Sequence, residues 1–160
     1  MARVWPPPPS ISAAWTTSTS RRFRCTNTTA GRPEPLDRLF YICAGVAGFL
    51  GVALGAFAAH ALKASLAADL LAVFETGVRY QMYHVFALCA AAWGWARWQS
   101  RPFAFAGWLF VAGIVVFSGS LYLLAFTGTR WFGAITPIGG LAFLAGWLCL
   151  AWGAASKMRT

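Results

Sequence analysis

Four long apolar runs follow one another in this chain, at about residues 39–62, 78–98, 103–126 and 132–152. Each is close to the length, about 20 residues, that an α-helix needs to cross the roughly 30 Å hydrocarbon core of a bilayer. The first run contains no charged residue, and the third begins just after Pro102, which is tolerated in the first turn of a helix. The runs therefore predict an all-α fold, a four-helix transmembrane bundle.

The amino-acid composition indicates the same fold class. Hydrophobic residues make up 59% of the 160 residues and charged residues only 11%, whereas a soluble domain carries roughly 25% charged residues to hydrate its surface. The formal net charge of +9 raises the alternative of nucleic-acid binding. The basic residues, however, lie in a tail and in short gaps between apolar runs rather than on one folded face. The predicted partner is therefore the lipid bilayer, and no nucleic acid.

Residues 1–35 differ from the rest of the chain. They contain consecutive prolines at 6–9 and a Ser-, Thr- and Arg-rich stretch that is poor in acids. This composition predicts a disordered leader, with a cleaved transit peptide and a misassigned gene start as the alternatives. Residues 36–156 are predicted to form the membrane domain, and 157–160 a basic C-terminal tail.

The connections between the runs predict the topology. The links at 99–101 and 127–131 are short enough for tight turns, so neighbouring helices should be antiparallel. The longest connection, 63–79, has apolar residues at helical spacing and predicts a short interfacial helix between helices one and two. Arginine and lysine are in excess on the side of the two termini, which predicts that both termini are cytoplasmic.

Polar residues gather toward one end of the predicted bundle. Because successive crossings alternate in direction, the end of helix one, the start of helix two, the end of helix three and the start of helix four share the outer leaflet. Polar groups at membrane depth are costly unless they pair or face water. Two interpretations stay open, a binding or conducting site and hydrogen bonds that fix helix register. The candidate polar cluster is His60, Tyr80, Gln81, His84, Ser118, Ser120, Tyr122 and Thr136.

Small residues recur along the first helix at i, i+4 spacing. Lipid provides little hydrophobic drive for helix association, so small side chains favour packing by letting two backbones approach closely. We therefore predict a helix-packing face rather than a ligand site at these positions. The face consists of Ala47, Gly51, Gly55 and Ala59.

Enzymatic and metal chemistry have weaker support. His60 and His84 lie on adjacent predicted helices and could hold haem or a metal, but neither H-E-x-x-H nor C-x-x-C accompanies them. Ser118 or Ser120 could act as a nucleophile with a histidine base, but a G-x-S-x-G motif and an orienting acid are missing. We predict no catalytic residue, no metal, no cofactor and therefore no enzyme.

Four blocks of the sequence carry a family resemblance. They are LGAFAAHAL at 54–62, RYQMYH at 79–84, FSGSLY at 117–122 and ITPIGG at 135–140. The first is similar to the G-A-F-G-A-H-A-L signature and the second to the Y-Q-x-x-H motif of the transmembrane protein 256 family, the bacterial domain of unknown function 423. Ala58 stands where that family usually has glycine. The resemblance implies four transmembrane helices, a bacterial inner-membrane location and a start just before the first helix, with no established activity or ligand.

Two functions follow as expectations. The first is a non-enzymatic protein of the plasma membrane that acts through helix packing or partner assembly. The second is a small transporter or channel whose outer-leaflet vestibule is lined by the candidate polar cluster. Four helices leave only a narrow path, so transport would need a homo-oligomer, which is a further expected partner.

Overall fold

The computed structural model describes residues 35–157, so nearly all of the predicted leader and basic tail lies outside the described residues. Within this range the chain forms four long helices and no strand. Helix α1 begins with the α-helical segment Pro35–Phe57, continues through a π-helical turn, Ala58–Leu62, and ends in a last α-helical turn, Lys63–Ser65. The all-α prediction is confirmed.

The other three helices complete the bundle. Helix α2 is Ala68–Trp98. Helix α3 consists of Arg101–Gly113, a second π-helical turn, Ile114–Ser118, and the α-helical segment Gly119–Thr127. Helix α4 is Trp131–Lys157. All four helices therefore extend a few residues or more beyond the apolar runs that indicate them in the sequence.

Two tight turns connect α2 to α3 and α3 to α4. Gln99 follows α2 with a φ of 49°, and its N–H donates to the Trp95 carbonyl at 2.8 Å. Gly128 follows α3 with a φ of 67°, and its N–H donates to the Leu124 carbonyl at 2.9 Å. A left-handed residue that bonds back to the last turn ends a helix abruptly. The chain therefore reverses direction, and neighbouring helices are antiparallel.

The predicted interfacial helix is not a separate element. Residues 68–79 form the first turns of α2, which therefore begins ten residues before the predicted residue 78. This segment contains no proline, and Gly77 lies against a neighbouring ring, so nothing breaks the helix. Glu75 and Arg79 interrupt the apolar pattern of the sequence at this point, but both are exposed in the structure. The prediction was wrong because charged residues end an apolar run without ending a helix.

Helix α2 is the central helix of the bundle. Among the described residues, three helices are long and apolar enough to cross a membrane, Leu36–Ser65, Arg101–Thr127 and Trp131–Lys157. Helix α2 is more polar in composition, and it contacts each of these three. Gln81 and His84 of α2 are therefore buried against protein rather than exposed to lipid. The result is a four-helix transmembrane bundle in which the most polar helix contacts the other three.

Aromatic rings packed against glycines of neighbouring helices recur in the interior of the bundle. Rings occupy the space that a side chain would otherwise fill on the neighbouring helix, so the helices approach closely. A Cβ on Gly146 of α4, for example, would lie 2.7 Å from the ring of Phe110 in α3. The same pairing of ring and glycine recurs between Phe103 and Gly94, Phe40 and Gly107, Phe143 and Gly113, and Tyr122 and Gly77.

Candidate functional site

Gln81 of α2 links three helices through its side-chain amide. Its Nε2 donates to the backbone carbonyl of Ala47 in α1 at 2.7 Å. Its Oε1 accepts from the hydroxyl of Tyr122 in α3 at 2.9 Å. An amide side chain both donates and accepts, which lets this residue, only 4% exposed, hold α1, α2 and α3 in one register.

The bridge from Gln81 depends on a close approach of α1 and α2. A Cβ on Gly51 of α1 would lie 2.6 Å from the Sδ atom of Met82 and 3.5 Å from Nε2 of Gln81. Glycine at this position therefore leaves room for the amide to reach the α1 backbone. Ala47 and Gly55, which flank it on the predicted packing face, are half-buried on the same side.

The predicted packing face is corrected at its last position. Ala59 is exposed, whereas Ala58 is buried, with 2% of its surface accessible. A helix turn of 3.6 residues makes an i+4 row drift by about 40° at each step. The drift over three steps carries Ala59 away from α2. The buried face continues instead from Gly55 through Ala58 to Leu62.

Serine side chains connect α3 to both of its neighbours. Ser118, the last residue of the second π-helical turn, donates to the backbone carbonyl of Gly77 in α2 at 2.8 Å. Ser120 donates to the Phe117 carbonyl at 2.9 Å, and its Oγ lies 2.9 Å from Oγ1 of Thr136 in α4. Each hydroxyl has one proton, so Ser120 accepts from Thr136 when it donates to Phe117.

His84 lies between α2 and α4 with both ring nitrogens bonded. Nδ1 lies 2.7 Å from the Tyr80 carbonyl, and Nε2 lies 3.3 Å from Nε1 of Trp147. A carbonyl only accepts and an indole only donates, so this geometry assigns a neutral imidazole with its proton on Nδ1. The ring stacks on Phe143, with centroids 3.4 Å apart and planes 6° apart. His84 therefore has no free nitrogen for a metal or a substrate.

Tyr80 and His60, the remaining members of the predicted cluster, take no part in these hydrogen bonds through their side chains. Tyr80 is partly exposed, and its ring stacks on Phe117 with centroids 4.7 Å apart. His60 is exposed in the first π-helical turn and makes no side-chain hydrogen bond to the described residues. The predicted cluster is corrected here, because the end of α1 leaves the His60 side chain exposed rather than inside the bundle.

The described residues do not assemble the enzymatic or metal sites considered above. Within 35–157, no group of three or more His, Cys, Asp or Glu side chains could hold a metal ion. The Ser118 and Ser120 hydroxyls bond to backbone carbonyls and to Thr136, so neither is bonded to a histidine. These side chains connect the helices through hydrogen bonds between neutral groups.

An apolar groove of about 510 Å³ runs between α1 and α3 with α2 as its floor. Its α1 wall extends from Ile42 to Leu54. Near one end the ring of Phe40 lies against Gly107 and holds α1 to α3. At the other end lies Tyr122, whose hydroxyl is bonded to Gln81. We call this feature the α1–α3 groove.

Sequence reasoning missed the partners of the polar residues. Phe143 and Trp147 of α4 enclose His84, yet both lie in an apolar run that shows no site signal. Gly77 was also missed, although a glycine four residues before Gln81 could have indicated a close approach of another helix. The α1–α3 groove has no signal in the sequence, because it depends on how far α1 diverges from α3.

A family model covers more than half of the chain. The family described as "Protein of unknown function (DUF423)" matches residues 54–140. The match includes every residue of the hydrogen-bonded cluster contributed by α2 and α3, and also Thr136 of α4. No solved structure matches this chain.

Relatives that align with this chain over nearly their whole length support this assignment. The UPF0382 membrane protein SH2409 of Staphylococcus haemolyticus is 46% identical over 113 residues, which is 71% of this chain and 92% of the relative. The UPF0382 membrane protein YwdK of Bacillus subtilis is 42% identical over 114 residues, 71% of this chain and 93% of the relative. The UPF0382 inner membrane protein YgdD of Escherichia coli is 40% identical over 123 residues, 77% of this chain and 94% of the relative. This chain is an integral membrane protein that belongs to the bacterial DUF423 family, which includes these UPF0382 membrane proteins.

Proposed function

We propose that this membrane protein is not an enzyme and acts through helix packing and assembly with partners in the plasma membrane. The hydrogen bonding of its buried and half-buried polar side chains carries the proposal. Each of them bonds to a backbone carbonyl or to a side chain on another helix, and such bonds hold membrane helices in register. The side chains concerned are Gln81, His84, Ser118, Ser120, Tyr122 and Thr136.

The alternative function, a transporter or channel with a polar vestibule, has less support. A conducting path needs polar atoms that are free to face water or a cargo. Here the polar side chains inside the bundle are hydrogen-bonded within the protein, and Tyr80 and His60 lie apart from these bonds. The α1–α3 groove has mostly apolar walls, and its polar residues Gln81 and Tyr122 bond to each other.

The proposal includes an inner-membrane location with both termini in the cytoplasm. The relative YgdD is named an inner membrane protein. Exposed Arg38, Arg97 and Arg101 lie at the end of the bundle where the chain enters and leaves it, and cytoplasmic loops are enriched in such residues. A reporter enzyme fused to the C-terminus is therefore expected to be active only inside the cell. Activity of the same fusion in the periplasm would reverse the orientation.

Flux measurement tests the proposed function. The protein is reconstituted into liposomes at rising protein-to-lipid ratios, so that any oligomer is included, and proton and potassium flux are followed with entrapped dyes. The expected flux equals that of protein-free liposomes, because the polar side chains inside the bundle are already hydrogen-bonded and do not replace the hydration of an ion. Flux that rises with protein density and depends on Gln81 would contradict the proposal.

Variants that remove the Gln81–Tyr122 hydrogen bond test its contribution to stability separately from flux. Gln81→Leu and Tyr122→Phe, singly and together, are expected to change stability without changing flux. A double-mutant cycle should give a coupling energy of about 1 kcal/mol, which is typical of hydrogen bonds between membrane helices. Thr76→Val is the matched control, since that hydroxyl donates to Ala72 of its own helix. A coupling energy near zero would show that this hydrogen bond does not hold the helices together, and it would contradict the proposal.

A further inference from the structure

The α1–α3 groove is narrow for its length. Its α1 wall extends from Ile42 to Leu54, and twelve residues of helix rise about 18 Å. The groove volume of about 510 Å³ divided by this length gives a mean cross-section of about 28 Å². A helix with its side chains is about 10 Å or more across, which is a cross-section of about 80 Å². The groove therefore cannot enclose a transmembrane helix, which could only pack across its open side.

A single hydrocarbon chain fits the same dimensions. At van der Waals contact such a chain is about 5 Å wide, which is a cross-section of about 20 Å². Carbon–carbon bonds of about 1.5 Å advance an extended chain by about 1.25 Å per methylene, so about 14 methylenes fill the groove. The groove length is also close to the depth of one leaflet, about 15 Å. Its walls are apolar along most of this length.

The position of the groove along α1 matches a lipid from one leaflet. The groove begins at Ile42, four residues and about 6 Å after Arg38. Arg97 and Arg101 lie at the same end of the bundle, on either side of the turn between α2 and α3, and all three arginines are exposed. Asp37 is the one acidic residue at this end among those described, and it is buried. The net charge of these residues at this end of the bundle is therefore positive.

We propose that the α1–α3 groove binds one acyl chain of an anionic phospholipid from the leaflet at this end of the bundle. The chain lies between α1 and α3 and ends near Leu54 and Tyr122. The headgroup lies among Arg38, Arg97 and Arg101, which attract an anionic lipid. This inference goes beyond the proposed function, and the flux measurement does not bear on it.

Photochemical labelling of the wild-type protein tests the site directly. The protein is placed in vesicles of phosphatidylcholine and phosphatidylglycerol that contain a trace of phosphatidylglycerol with a diazirine at the end of one acyl chain. After illumination, labelled residues are mapped by mass spectrometry. Leu50, Leu54 and Tyr122 are expected to be labelled about fivefold more than Leu144 and Leu148, exposed residues of α4. Equal labelling of the two sets would overturn the proposal.

A filled groove should lose this labelling. Gly119 lines the groove, and a Cβ there would meet no atom within 4 Å, so Gly119→Phe places a ring in the space of the chain. Groove labelling should fall about fivefold in this variant. Gly45→Phe is the matched control, since Gly45 also has nothing within 4 Å and does not line the groove. Circular dichroism checks that both variants fold, and unchanged labelling in Gly119→Phe contradicts the assignment.

Two further readouts test the identity of the occupant. Phosphatidylcholine carrying the same diazirine is expected to label the groove about threefold less, because it lacks the net negative charge. Equal labelling by the two lipids would overturn the choice of an anionic headgroup. If the groove is instead covered by a second copy of this chain, groove labelling will be absent and Gly119→Phe will shift a dimer to a monomer in detergent. That result would overturn the proposal as a whole.

Discussion

Gly139→Ala is expected to lower the free energy of unfolding by about 3 kcal/mol, as overpacking of a tight interface does. A Cβ on Gly139 of α4 would contact the backbone nitrogen of Phe117 and lie 2.7 Å from its Cα. Phe117 belongs to the second π-helical turn, so the obstacle is backbone rather than the flexible end of a side chain. The two helices must move apart, and the packing of rings on glycines between α3 and α4 weakens with them. Titration with a denaturing detergent in mixed micelles measures the loss.

Gly140→Ala is the matched control for this prediction. It adds the same methyl group one residue later in the same helix, where the nearest atom, in the ring of Phe117, lies 3.8 Å away. The stability of this variant should stay within about 0.5 kcal/mol of the wild type, because alanine is also the better helix former. Equal losses in the two variants would show that the contact with the π-helical turn is not what makes Gly139 necessary.

His84→Ala is expected to lower the free energy of unfolding by a similar amount, about 3 kcal/mol. The imidazole is 6% exposed and stacks face to face on Phe143. Its removal leaves a cavity between α2 and α4. The indole N–H of Trp147 also loses its acceptor at a depth where water is scarce. The same detergent titration measures this effect.

His60→Ala provides the control with the same substitution at the second histidine. His60 is exposed and has no hydrogen-bond partner among the described residues, so the expected change is within about 0.5 kcal/mol. His84→Phe is informative as well, because it keeps a flat ring against Phe143 while removing both ring nitrogens, and should recover part of the loss. A large effect at His60, or none at His84, would contradict the separation of the two histidines seen in the structure.

The transmembrane fold could be predicted because hydrocarbon leaves a chain few choices. A backbone that crosses a bilayer must satisfy its own hydrogen bonds, and a helix of about 20 apolar residues is the simple way to do so. The fold class follows from such features, the family follows from the resemblance of four sequence blocks, and both are confirmed. The start of α2 at Ala68 could not be read from the apolar runs, since Glu75 and Arg79 are exposed and therefore compatible with a helix.

The candidate site could be predicted only as a set of residues. Threading through the membrane brings Gln81, Ser118 and Thr136 toward the same leaflet, whatever the packing of the helices. Whether two of them bond depends on the rotation and separation of their helices, which the sequence does not state. Gln81 and Tyr122 bond across 41 positions of sequence because the ring of Tyr122 lies on Gly77. His60 fails to join them because the end of α1 leaves it exposed.

By itself the sequence determined that the chain crosses a membrane as helices and that its polar residues gather toward one end. Only the tertiary structure decided that Gln81 bonds to Tyr122 and Ser120 to Thr136, and that α1 leaves a groove beside α3. The physical reason is the range of the forces. Burial in lipid acts on each segment alone and depends on its composition. Hydrogen bonds and ring contacts act over a few ångströms, so they depend on which glycine of one helix meets which ring of another.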